Sequence, residues 1–311
     1  MAVANSGRIS SFSLQPLHAL FGAEVTGVDL TSTPSDAVME EVIAALDEYS
    51  VLVFSDQVLS NEQHVAFSER FGPLEIMLKG SAGDGSPFAG ITNVDPGTNE
   101  IFAADDHRMQ RNYSNELWHT DSSFKAVSAW VSILHAKEVP PVGGETSFVS
   151  LRRAWDELTP TLQAQCAPLA VEHDFVYSRS ILNDKTFLTD EQKAEVPPVP
   201  QRLVLTNPRN GRKSLYLGSH AARVVGWPEP RGRELLDMLM EHATREPCIY
   251  SHRWRANQLV MWDDRATMHR GGGWDYQRYR RVMARTTVSG VTPTISGPEL
   301  TSARDAAARQ S

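Results

Sequence analysis

The sequence predicts a mainly β protein with flanking helices, arranged as a barrel or a double-sheet jelly roll. Three observations carry this expectation. Short apolar and β-branched runs succeed one another from about residue 130 to 288, separated by glycine, proline and polar turn clusters. Helical periodicity gathers before that region and at two interruptions within it. No internal repeat and no apolar run of membrane-spanning length competes with this reading.

The elements follow in order. Amphipathic helices are expected over 37–49 and 61–71, with a short buried strand at 51–54 between them. Ser60 and Gln63 form a capping-box pattern at the start of the second helix, and Gly72 stands just past its end. Residues 78–116 are glycine-rich and polar with little periodicity, and a loop this long reads as a candidate lid. Strands are expected at 130–135, 146–149, 202–206, 214–217, 248–254, 258–262 and 281–288, with helical pieces at 151–158 and 232–244. The stretch 296–311 reads as a frayed tail, so the expectation is one catalytic domain over 1–311 with its core at about 10–292.

Of 311 residues, 41% are hydrophobic and 22% charged, with a formal net charge of -8, which describes a globular chain. The acidic balance argues against nucleic acid or an anionic membrane as partner, because both call for a clustered basic surface. It leaves open a small anionic organic ligand held by a few local arginines. The amino terminus lacks the basic-then-apolar pattern of a secretory signal, so the expected location is cytoplasmic. Cys166 and Cys248 have no cysteine neighbour and read as reduced and packed. Subunit number is not legible, and a homo-oligomer is compatible with everything above.

Trp118-His119-Thr120-Asp121 sets an imidazole and a carboxylate two residues apart. In an extended segment both side chains share one face, with Cα atoms ~6.5 Å apart. His269, shortly after the apolar run 258–262, is the candidate third ligand. Two histidines and one carboxylate leave octahedral positions open, the arrangement of non-haem iron(II) oxygenases. Alone the pattern is weak, since His-x-Asp pairs arise by chance in a chain with ten histidines. His107, in the polar loop, reads as solvated, and His18, His64, His135, His173, His242 and His252 as surface or satisfied core residues.

The segment after His269 adds weight. Strand alternation places Arg281, Met283, Arg285 and Thr287 on one face and Val282, Ala284, Thr286 and Val288 on the other. If the first face lines a barrel, two guanidiniums there require anionic partners. Arg281 and Arg285 lie ~13 Å apart along a strand, suited to two anionic groups on either side of a metal. A solvated edge strand with outward arginines is the plainer alternative.

WHTDSSF, VPPVGGETSF, MWDDRATMHR and RRVMARTT, in this order, resemble the TauD/TfdA family of iron(II)- and 2-oxoglutarate-dependent dioxygenases. The resemblance runs from about residue 14 to 291, beginning with GAEVTGVDL and FSERFGPL. It implies a double-stranded β-helix (jelly roll) core with outer helices, and Fe(II), 2-oxoglutarate and O2 as the reacting partners. By the same resemblance His119, Asp121 and His269 are the iron ligands, and Thr146 and Arg281 hold the far carboxylate of 2-oxoglutarate. Arg285 lies near both the metal-bound end of the cosubstrate and the anionic end of the substrate. The 270–280 segment is a residue longer than the family pattern, which leaves Arg280 as an alternative to Arg281.

WHTDSSF, VPPVGG, YLGSHAARVVGWP and MHRGGG resemble the dichlorophenoxyacetate (aryloxyalkanoate) branch more closely than taurine dioxygenase. That branch carries a histidine near the substrate where His220 stands, and a second histidine where this chain has Arg223. Lys79, Asn115, His220, Arg223 and Arg285 are therefore the candidate substrate contacts. The implied reaction hydroxylates a small organic acid, an aryloxyalkanoate cleaved to a phenol and an oxo-acid with release of succinate and CO2. A taurine, alkylsulfonate or alkyl sulfate dioxygenase is the alternative within the class. A zinc hydrolase on the same triad and a non-catalytic jelly-roll binder are the alternatives outside it.

Overall fold

The computed structural model describes residues 11–76, 85–181 and 189–310. Its strands are β1 (Ser13–Pro16), β2 (Ala23–Thr26), β3 (Val51–Phe54), β4 (Ala89–Thr92) and β5 (Ala129–Glu138). Next come β6 (Thr146–Ser150), β7 (Ala170–His173), β8 (Val199–Arg202), β9 (Val204–Thr206) and β10 (Lys213–Leu215). The last are β11 (Ala221–Val224), β12 (Ile249–His252), β13 (Leu259–Asp263), β14 (Thr267–Gly271) and β15 (Val282–Ser289). A seven-stranded sheet runs β1-β2-β3-β13-β5-β15-β4, and β12-β6-β14 forms a smaller sheet facing it.

Period-two alternation decides what each face of the large sheet meets. Leu52 and Phe54 on β3, Val131 and Ile133 on β5, and Leu259 and Met261 on β13 pack against the helices Asp36–Tyr49 and Asn61–Glu69. Their neighbours Val51, Val53, Leu134, Val260 and Trp262 face inward and meet Phe148 of β6. The small sheet alternates likewise: Val149 and Met268 pack outward against the helices Leu151–Asp156 and Glu229–Ala243. Phe148 and its register partner His269 therefore face the interior. The second helix starts at the expected capping box, with Gln63 N–H donating to Ser60 Oγ at 3.2 Å and Ser60 N–H to Gln63 Oε1 at 2.8 Å.

Three expectations need correction. The run 202–206 is two strands in different sheets, because β8 pairs with β7 while β9 pairs with β10. The segment 78–116 is not structureless where it is described: β4 pairs along β15, and a 3-10 turn (His107–Met109) leads into the helix Gln110–Ser114. It forms a wall of the interior rather than a bare loop. Residues 297–310 are helical (Gly297–Gln310), with Leu300 and Ala303 packed against Ala170, Val225 and Ile295 and Glu299 paired with Arg202. Their alanine-rich composition favours helix once those two apolar residues find a surface.

Candidate active site

The interior between the two sheets holds the predicted side chains. His119 and His269 form an antiparallel bridge, each backbone N–H donating to the other's carbonyl at 3.0 and 2.9 Å. Their rings lie 4.2 Å apart between centroids. The Nδ1–H of His119 donates to the Leu117 carbonyl at 2.7 Å, which leaves Nε2 with its lone pair toward the cavity. Gly218 makes this strand position possible, because a Cβ there would stand 3.2 Å from His119 Cα.

Asp121 Oδ1 lies 3.9 Å from His119 Nε2 and Oδ2 3.7 Å from His269 Nε2. Among the described residues, His119, Asp121 and His269 are the one group able to offer three ligand atoms to a single ion, all within 4.8 Å of one another. Burial lowers both histidines below their ordinary range, so both are neutral and able to donate to a cation. Burial opposes the charge of Asp121, but the Arg285 guanidinium, helped by the Ser132 hydrogen bond, holds its carboxyl well below the usual range. Ser132 Oγ donates to Oδ2 at 2.9 Å and the Arg285 guanidinium to Oδ1. Behind it, Asp264 accepts from Trp262 Nε1 at 2.9 Å and from the Asp121 N–H at 3.3 Å. Burial and then Asp121 raise the Asp264 carboxyl well above the ordinary range.

The same cavity is lined by Thr146, Arg281 and Arg285. β15 carries the alternation expected of it: Thr286 turns outward to Ser68 Oγ (2.7 Å) and His64, while Arg281, Met283 and Arg285 turn inward. Arg281 is 4% exposed and has no carboxylate partner among the described residues; its Nε has no hydrogen-bond partner at all. Burial lowers its pKa to about 10. Trp274 lies against the guanidinium, ring centroid 5.1 Å from Cζ. Trp254 Nε1 donates to Thr146 Oγ1 at 3.0 Å, which leaves the threonine hydroxyl proton for another acceptor. Two polar groups thus face the cavity with capacity that an anion would satisfy.

Other predicted residues fall differently. Arg280 points outward and pairs with Glu138 (Nε to Oε2, 2.7 Å), which assigns the inward position to Arg281. Asn115 lines the cavity, its carbonyl accepting from Gly271 N–H at 2.7 Å. His220 is buried between Phe124 and Phe175, at ring distances of 4.9 and 5.8 Å, with its carbonyl accepting from Asp174 N–H at 2.8 Å, and it is not among the residues that line this cavity. Arg223 does not reach the cavity: β11 turns it outward, half exposed, onto Glu172 of β7. Lys79 lies outside the described residues. Trp274, Tyr276, Glu116 and Asn93 escaped the sequence reading. The aromatic content of GGGWDYQRY, so close to the arginine pair, was the signal available for two of them.

The donor set fits iron(II): two neutral imidazoles and a carboxylate on one side, and open space bordered by cationic groups on the other. A jelly roll with that triad and a buried unpaired arginine defines a mononuclear non-haem iron oxygenase. The profile of the family described as "Taurine catabolism dioxygenase TauD, TfdA family" matches residues 13–287, and the chain belongs to that family. The chain is 40% identical over 278 residues to the alpha-ketoglutarate-dependent 2,4-dichlorophenoxyacetate dioxygenase of Cupriavidus pinatubonensis, covering 88% of this chain and 96% of that one. It is 37% identical over 286 residues to the (S)-phenoxypropionate/alpha-ketoglutarate-dioxygenase of Sphingobium herbicidovorans, covering 90% and 96%. The crystal structure of AAD-2 with Mn(II) and N-oxalylglycine superposes with a TM-score of 0.84 at 40% identity, covering 92% of this chain and 99% of that one. The protein is a 2-oxoglutarate-dependent dioxygenase that uses Fe(II) and O2.

Proposed function

We propose that this enzyme hydroxylates an aryloxyalkanoate at the carbon beside the ether oxygen. The hemiacetal so formed collapses to a phenol and a 2-oxo acid. The observation that carries the site assignment is Arg281, a buried guanidinium without a carboxylate partner among the described residues, in one cavity with Thr146, His119 and His269, the two histidines that share a ligand group with Asp121. The aryloxyalkanoate reading is supported by the relatives, whose names specify dichlorophenoxyacetate and phenoxypropionate.

In this reading His119, Asp121 and His269 hold the iron, and Arg281 with the Thr146 hydroxyl binds the far carboxylate of 2-oxoglutarate by charge-assisted hydrogen bonds. The bound iron and cosubstrate supply dioxygen activation: one oxygen atom ends in succinate as CO2 leaves, the other in the substrate hydroxyl. Ser132 and Asp264 orient Asp121 through the contacts described above. Arg285 neutralises charge at the inner end of the cavity and is the candidate partner for the substrate carboxylate. Asn115 borders the cavity, and His220 with Phe124 and Phe175 offers an apolar surface for an aryl ring. The whole chain works as one catalytic domain in the cytoplasm, a setting that suits its two buried free cysteines.

A succinate-release screen across aryloxyacetates, aryloxypropionates, other carboxylates, sulfonates and sulfate esters tests the proposal. Equimolar succinate and phenol from an aryloxy acid is the expected result. Succinate with sulfite or sulfate, and none with aryloxy acids, would move the enzyme to the sulfonate or sulfate-ester class.

A further inference from the structure

Residues 272–280 form a segment that crosses the cavity beside Arg281 and is pinned along its length. Gly272 N–H donates to the Glu145 carbonyl at 2.7 Å and Gly144 N–H to the Gly273 carbonyl at 3.1 Å. Asn93 Nδ2 donates to the carbonyls of Tyr276 and Tyr279 at 2.7 and 2.9 Å, and Trp274 Nε1 to the Tyr279 carbonyl at 3.1 Å. The close approach depends on glycine, since a Cβ on Gly143 would stand 2.6 Å from the Gly273 oxygen. The Trp274 and Tyr276 rings meet at a tilt of 41° with centroids 4.0 Å apart, and they line the cavity together with Glu116, whose Oε1 accepts from the Tyr276 hydroxyl at 2.6 Å.

We infer that this segment is the fixed outer wall of the cosubstrate end, with Trp274 covering Arg281 and the Tyr276–Glu116 hydrogen bond fastening the cover, and that it sets which length of 2-oxo diacid is accepted. The inference rests on the reading of Arg281 as the partner of the distal carboxylate. A guanidinium held over an indole face, as Arg281 is over Trp274, is covered on that side against water and still has N–H donors to offer a carboxylate. A wall tied by five hydrogen bonds to Gly144, Glu145, Asn93 and Glu116 cannot yield to one additional methylene as a loose loop would. Trp274 and Tyr276 are thus positioning and selectivity residues for the cosubstrate, acting through Arg281.

Calorimetric binding of 2-oxoglutarate, 2-oxoadipate and N-oxalylglycine to Mn(II)-loaded protein tests this, alongside KM and kcat for the two 2-oxo acids. Trp274→Ala is expected to weaken 2-oxoglutarate at least about tenfold and to reduce its preference over 2-oxoadipate by a similar factor. Mn(II) affinity should stay unchanged. Tyr276→Phe, which removes a single oxygen, should raise KM for 2-oxoglutarate severalfold with kcat preserved; it keeps the test open if the tryptophan variant fails to fold. Parental affinities and an unchanged preference in both variants would overturn the inference, as would loss of Mn(II) binding. Arg281→Gln separates the two readings: weakened binding there with no effect of Trp274→Ala refutes the wall alone, whereas undiminished binding in Arg281→Gln refutes the underlying assignment.

Discussion

Two buried charged sites lie toward opposite ends of β5, at Asp263, which pairs with Val131, and at Arg281, whose neighbour Val282 pairs with Glu138, and they are built on opposite rules. Around Asp263 every charge is answered: Arg265 Nε and its backbone N–H donate to Oδ1 at 2.9 and 3.0 Å, and Arg265 and Arg152 donate to Oδ2 at 2.9 and 3.1 Å. Arg152, 2% exposed, also reaches the Asp47 carbonyl. At the other site Arg281, 4% exposed, is also buried and meets no carboxylate among the described residues. A buried carboxylate whose two oxygens are both answered holds the fold in register, whereas a buried guanidinium with no carboxylate is retained for a partner that arrives from solution.

The comparison breaks if the two sites respond alike. Asp263→Ala leaves Arg152 buried beside a lost counter-charge and should cost about 3–5 kcal/mol of unfolding free energy, read by urea denaturation, with KM for 2-oxoglutarate unchanged. Arg281→Gln should do the reverse: stability equal to or above the parent's, and an affinity for 2-oxoglutarate lower by about 100-fold, because a charge-assisted bidentate contact is lost. Equal destabilisation by both substitutions would remove the distinction.

An effect smaller for each residue comes from three histidines outside both sites. Burial holds His64 and His173 at about 3 and His252 at about 4. Each folded-state pKa lies below the unfolded value of 6.5, so unfolding takes up a proton between the two. Their contribution is fully present above about pH 6.5 and is lost as pH falls toward 4. The expected slope is roughly 1.4 kcal/mol per pH unit for each, seen as denaturation midpoints that fall between pH 6.5 and 4.5. His64→Gln should flatten the curve by one such increment. The smallest effect is expected at Arg223, whose exposed pair with Glu172 is worth little. Arg223→Gln should leave stability within about 0.5 kcal/mol and substrate KM unchanged; a large rise in KM would return this residue to the substrate site.

The legible parts of the sequence were those where periodicity and chemistry coincide. That Arg281, Met283 and Arg285 share one face follows from strand alternation alone; which way the face points did not, and the structure turns it inward, with Arg285 meeting Asp121. His119 and Asp121 were readable as a pair, and their convergence with His269 came from the order of four motifs. β14, which carries His269, was not recognised as a strand because Thr267–Gly271 contains an arginine and ends in glycine, with apolar pattern only at Met268. Arg223 faces Glu172 rather than the cavity because the register of β11 shifts between Ala221 and Arg223, an irregularity invisible in the spacing. The wall at 272–280 was unreadable for a related reason: its hydrogen bonds join residues from Asn93, Glu116 and Gly144, far apart in the chain. The terminal helix gains its stability from two contacts, Leu300 and Ala303, that composition does not announce.

The central claim is that the triad and Arg281 together hold iron(II) and 2-oxoglutarate in one cavity. An anaerobic spectral titration of the Fe(II)-loaded protein with 2-oxoglutarate addresses it most directly. The account predicts a visible charge-transfer band that saturates with 2-oxoglutarate in the parent protein, needs far higher concentrations in Arg281→Gln, and is absent in His119→Ala. No band at any 2-oxoglutarate concentration in the parent, or an identical titration in Arg281→Gln, would contradict it.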